Sequence, residues 1–202
     1  MYHEFKDSLD PAHDFAHFKR VVATAKKLAV EEHAKLEVVL PAAWLHDLVN
    51  LPKNDPRRSQ ASRLSADAGE EFLRLIEYPA EFIPAIRHAI MAHSYSANIA
   101  IESIEAAVVQ DADRLDGLGA IGIARVFSVG ALMKRKIHAD HDILGTEGRT
   151  LNDQEFTLDH FFVKLFKTVD TLKTAAGKKE GLRRAEIMRN YLEALEEECR
   201  FS

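Results

Sequence analysis

His46 and Asp47 stand side by side in the apolar stretch Pro41-Ala42-Ala43-Trp44-Leu45-His46-Asp47-Leu48-Val49. Taking an unpartnered polar group out of water costs roughly 2–7 kcal/mol, and a charge costs more. The pair therefore asks for a compensating cation. Two further residues share this apolar context: His17 beside Phe18, Val21 and Val22, and Asp111 at the close of the run Ile104, Ala107, Val108. Two imidazoles and two carboxylates suit a borderline-to-hard divalent ion, with water completing the shell. Mn2+ is the first expectation, with Mg2+, Co2+, Ni2+ and Fe2+ as alternatives. The only cysteine is Cys199, so a thiolate-rich zinc site is excluded.

Other histidines and aspartates are sorted by spacing. The pairs His13-Asp14 and His141-Asp142 lack apolar flanks on both sides, and the second reads as a solvated loop before Gly145 and Gly148. Asp113 lies two residues past Asp111, so on one helix it points about 200° away and is read as a cap or ion-pair partner. Asp116 is placed near the site if the helix breaks at Gly117. Asp14, one turn before His17, is expected to orient that imidazole, and His13 is a weaker candidate for the same support. His88 and His93 are offset by about 140° on a helix and cannot both face one ion. His93 is preferred as the phosphate-side or acid-base group, and a two-ion site is the minor alternative. His3, His33 and His160 read as surface or packing residues.

Helical periodicity dominates, with no run of alternating strand residues. Asp10-Pro11 predicts a helix start, and the helix runs to Glu32 or His33. A second helix carries Val38, Val39, Trp44, Leu45 and Leu48 and ends before Pro52. A third is marked by Leu64, Ala68, Phe72, Leu75 and Ile76, a fourth covers Glu81 to Ala92, and a fifth Ile101 to Asp113. A sixth spans Gly119 to Lys136, a polar loop continues through Asp153, and helices over Gln154 to Thr174 and Lys178 to Glu198 finish the chain. The class is all-α, read as one domain over 1–202, with the ligands in about 10–116 and the helices in about 154–198 completing the bundle. Gly117-Leu118-Gly119-Ala120-Ile121-Gly122 matches the dinucleotide-binding pattern in letters, but a helix precedes it where that pattern needs a strand. Phe161, Phe162, Leu165 and Phe166 read as core or dimer contact.

The 202 residues are 47% hydrophobic and 29% charged with a formal charge of −5, a globular composition without a general basic field for nucleic acid. No apolar run spans a bilayer and no signal-peptide core is seen, so a cytoplasmic protein without a membrane partner is expected.

The order His, His-Asp, Asp on successive helices resembles the HD superfamily of metal-dependent phosphohydrolases. The resemblance extends through Ala12 to Val21, His46 to Val49 with Lys53-Asn54, Ala92 to Ser96, and Gln110 to Asp116 with Gly119 to Gly122. This set is similar to the YedJ/YpgQ-like branch of small bacterial HD hydrolases. The resemblance implies a helical bundle with the metal held by His17, His46, Asp47 and Asp111. It further implies a phosphorylated small molecule, a nucleotide, as partner, and cleavage of a nucleoside triphosphate to monophosphate and pyrophosphate. Cationic support for the phosphoryl group is assigned to Lys53, Arg57 and Arg114, with His88 and Asp116 also on the substrate side. Alternatives are a phosphomonoesterase or phosphodiesterase, a dinuclear iron oxygenase, and a nucleotide-sensing module without turnover. A homodimer is a further open alternative.

Overall fold

A computed structural model describes residues 14–49, 51, 55, 57–94 and 97–199. The expected helix start at Asp10-Pro11, together with His3, His13, Lys53 and Asn54, lies outside them. The described residues form eight α-helices and no strand; Lys136 and Phe156 make one isolated bridge. Their backbone falls into two compact units. One runs through Asp113 and takes back Lys173–Gly177, and the other holds Arg114–Leu172 and the chain from Lys178 onward.

In the first unit, α1 (Phe15–Glu31) buries His17, Phe18, Val21, Ala25, Leu28 and Ala29, a stripe at helical spacing. Asp14 caps it by accepting the backbone N–H of His17 at 2.8 Å. That bond makes Asp14 the N-cap of the helix that carries His17. The helix stops where His33 turns left-handed, at φ 55°, and Ala34 N–H returns to the Ala29 carbonyl at 2.9 Å.

The second helix, α2 (Leu36–Leu45), carries Pro41 inside it. Proline has no N–H to give the carbonyl four residues back, and the Tyr78 hydroxyl donates to that Glu37 carbonyl at 2.7 Å instead. The helix ends at Leu45, earlier than the apolar run through Leu48 suggests. Its continuation is cut because the Val49 N–H goes to the Ser65 hydroxyl at 3.0 Å. The dyad therefore sits at a helix end, where the chain turns.

Next come α3 (Ala61–Leu75) and α4 (Ile83–His93). Gly69 lets them approach: a Cβ there would stand 3.1 Å from Ile90 Cδ1. Arg87 bridges Asp67 and Glu70 across the pair. Finally, α5 (Ile104–Asp116) is capped by the Ser103 hydroxyl, which accepts the Ala106 N–H.

The second unit contains α6 (Gly119–Leu132), a π-helical turn Phe161–Leu165 leading into α7 (Phe166–Asp170), and most of α8 (Ala175–Cys199). The expected helix over Gln154 to Thr174 is shortened at both ends. Residues before it are held in turns, with Asp159 fully buried and engaged by both Nη atoms of Arg149. Asp142 is likewise ordered, accepting the N–H groups of Glu147 and Arg149. The glycine-rich segment lies at the α5–α6 turn, where a Cβ on Gly122 would collide with the Gly117 carbonyl. Close backbone packing explains Gly122 and a left-handed φ of 70° explains Gly119, and a helix precedes the segment.

On α8, hydrogen bonds from Arg183 and then Arg184 hold the Glu180 carboxyl down at about 2, against the opposing effect of burial. A carboxyl whose pKa is lowered on folding stabilises above its unfolded value, and that share is lost as pH falls through the folded value. The melting-temperature gap between wild type and Glu180→Gln is expected to stay open at pH 6. It should close between pH 4.5 and 2, as read by circular dichroism.

Candidate metal centre

His46 is fully buried at the end of α2, and its Nδ1 stands 2.9 Å from the Ala43 carbonyl. A carbonyl can only accept, so Nδ1 carries the hydrogen and the neutral ring presents a bare lone pair at Nε2. Burial pushes the His46 pKa down, outweighing the raising effect of Asp47. Nε2 faces a crowd of other donors. His17 Nε2 lies 3.3 Å away, Asp47 Oδ2 3.7 Å and Asp113 Oδ1 3.8 Å. Asp113 Oδ1 is also 3.5 Å from His17 Nε2.

His93, the last residue of α4, completes the group. Its Nδ1 bonds the Ile90 carbonyl at 2.6 Å and its Nε2 lies 3.3 Å from Asp47 Oδ1. Burial alone would lower its pKa. The Asp47 hydrogen bond and charge, with help from Asp113 and Ile90, prevail and hold it at about 9.

Two donor triads result among the described residues: His17, His46 and Asp113, and His46, Asp47 and His93. His46 belongs to both. With ligands at about 2.0–2.2 Å from an ion, neighbouring donor atoms stand roughly 3–3.5 Å apart, close to the spacings measured here. Lone pairs and carboxylates gathered this closely repel one another unless a cation sits among them. The donor chemistry therefore fits a divalent metal. Exposure is asymmetric: the three imidazoles are within 5% of full burial, whereas Asp47 and Asp113 retain 24% and 28%. The carboxylate side is open to water and ligand.

Asp111 does not join this group. Its buried carboxylate accepts the N–H of Lys173 at 2.9 Å, the N–H of Thr174 at 2.8 Å and the Thr174 hydroxyl at 2.7 Å. It is occupied holding the start of α8. Asp113, read from the sequence as a cap or ion-pair partner, takes the place expected of Asp111. The two do point apart on α5, and the member that faces the histidines is the later one.

The proposed substrate residues that the structure describes have hydrogen-bond partners of their own. Arg57 is exposed, with its fork on Asp55. His88 Nε2 accepts the Glu102 N–H at 3.3 Å. In the second unit, Arg114 donates to the Thr171 carbonyl at 2.8 Å, and buried Asp116 pairs with Arg125 at 2.6 Å. None of these four stands in either triad. Lys53 falls outside the described residues.

The family model for the HD domain matches residues 14–118, which hold both triads, and the chain belongs to this family. It is 31% identical over 191 residues to protein YpgQ of Bacillus subtilis (strain 168), covering 92% of this chain and 84% of that one. The crystal structure of Bacillus subtilis YpgQ in complex with ADP is similar at TM-score 0.73 and 30% identity, over 94% of this chain and 91% of that one. An HD-superfamily hydrolase from Bacillus thuringiensis is similar at TM-score 0.74 and 30% identity, over 94% and 88%.

Proposed function

We propose that this chain is a divalent-metal-dependent phosphohydrolase that cleaves a nucleoside triphosphate to monophosphate and pyrophosphate. The observation that carries this reading is the five-donor cluster with buried imidazoles and solvent-facing carboxylates. The ADP held by the similar YpgQ supports a nucleotide as ligand. His17, His46, Asp47, His93 and Asp113 would hold the ion, and Mn2+ is the ion proposed. When bound, such an ion supplies a water nucleophile at neutral pH and offsets charge on the phosphoryl oxygens.

The chain's own residues do the positioning. Bonds from Nδ1 of His46 and His93 to backbone carbonyls lock both rings with Nε2 inward. In the metal-free protein His93 Nε2 keeps its proton and donates it in a hydrogen bond to Asp47 Oδ1. Lys53 is the proposed phosphate contact, since the guanidinium groups of Arg57 and Arg114 are already engaged.

The test is a nucleotide panel with Mn2+, resolved by product. Pyrophosphate and monophosphate in equal amounts are the expected result. Nucleoside and inorganic phosphate from a monophosphate would make it a phosphomonoesterase, and opening of a cyclic nucleotide a phosphodiesterase. Two irons per chain with oxygen-dependent turnover would replace hydrolysis by oxygenation. Full metal loading without turnover of any nucleotide would leave a sensing module.

A further inference from the structure

Gln110 lies on α5 one turn before Asp113, so the two side chains share a face of that helix. Its side chain is 4% exposed, and Nε2 donates to the Ala92 carbonyl at 2.7 Å. Ala92 immediately precedes His93 at the end of α4, where helical carbonyls have no partner within the helix. The carboxamide orientation is fixed by this bond, because a flip would set oxygen against oxygen. That leaves Oε1 buried with no hydrogen-bond partner among the described residues. An unpaired buried acceptor destabilises, so a methionine or leucine would pack this position better. What the carboxamide adds over them is the N–H on Ala92.

We infer that Gln110 is a positioning residue of the metal centre: it ties the end of α4 to the helix that carries Asp113, and so aims His93 Nε2 at the group. The Ile90 carbonyl fixes which ring nitrogen of His93 is turned to the group, and Gln110 fixes where the backbone holding that ring stands. Sequence reasoning passes over it, since glutamine beside an apolar run has no metal-binding chemistry of its own.

The inference rests on the metal reading, and its test is built on binding rather than turnover. Co2+ affinity and the Co2+ visible spectrum are measured for wild type, Gln110→Met, His93→Ala and the double variant. Loss of a group that orients a ligand weakens metal binding by about 10–100-fold. Gln110→Met is expected to lose about tenfold and to shift the spectrum. In the His93→Ala background the same substitution should change neither, because residues that act as a unit are not additive. Gln110→Leu likewise lacks the N–H and should match Gln110→Met, which covers failure of either to fold. Unchanged affinity in both variants, or the same loss with and without His93, overturns the role of Gln110. Absence of Co2+ binding by wild type overturns the metal reading itself, and the inference with it.

Discussion

Asp113→Ala is expected to reduce divalent-metal affinity by more than the roughly 10–100-fold that losing a supporting partner costs, and to remove phosphohydrolase activity with it. Its Oδ1 stands 3.5 Å from His17 Nε2 and 3.8 Å from His46 Nε2, so no other carboxylate of this helix serves the first triad. Stability should barely move. The side chain is 28% exposed and lies among lone pairs of like polarity. A substitution of this kind shifts stability by about 0.5 kcal/mol, or roughly 1–2 °C for a chain of this size. Titration calorimetry with Mn2+ on the metal-free protein, run beside a thermal melt, reads both quantities. Near-wild-type affinity in a folded Asp113→Ala would remove Asp113 from the site.

The metal centre shows which kinds of information a linear sequence carries. His46 and Asp47 are legible because desolvation is local: two polar groups among apolar neighbours mark themselves. The all-α class is legible for the same reason, since apolar spacing repeats within each helix. His17 is legible from its stripe on α1. The failure at Asp111 follows from the same rule applied once too often. Burial among apolar residues signals that a carboxylate has a partner, but it does not say which. Here the partners are two backbone N–H groups and a hydroxyl at Lys173 and Thr174, more than sixty residues away. No spacing rule reaches that far. Helical geometry separates Asp111 from Asp113 and leaves a choice between them that only the tertiary contacts make. Gln110 was illegible for a related reason, because its meaning lies in the Ala92 carbonyl of another helix. The early end of α2 likewise depends on the Ser65 hydroxyl of α3.

Asp111→Ala should therefore behave as the opposite of Asp113→Ala, destabilising the fold while sparing the ligands. The carboxylate receives the N–H groups of Lys173 and Thr174 and the Thr174 hydroxyl at the start of α8. Thr174 in turn accepts the Gly177 N–H, and Glu32 accepts that of Ala176 at 2.6 Å, so the first turn of the helix depends on this cage. Removing the acceptor strands three donors, each worth about 1–3 kcal/mol when buried and unpaired. With partial relief by water, a loss on the order of 3–5 kcal/mol is expected, which lowers the melting temperature by roughly 6–20 °C. Gly177 supplies the internal control. A Cβ there would collide with Asp111 Oδ2 and Thr174 Oγ1, so Gly177→Ala should also destabilise. Because the collision involves the carboxylate that Asp111→Ala deletes, the double variant should lose less than the sum of the two. Denaturant melts of the four proteins measure that coupling, and Mn2+ titration of folded Asp111→Ala should return near-wild-type affinity. Strict additivity would break the link between Asp111 and Gly177. Metal affinity as low as that of Asp113→Ala, in a protein melting like wild type, would restore Asp111 as a ligand.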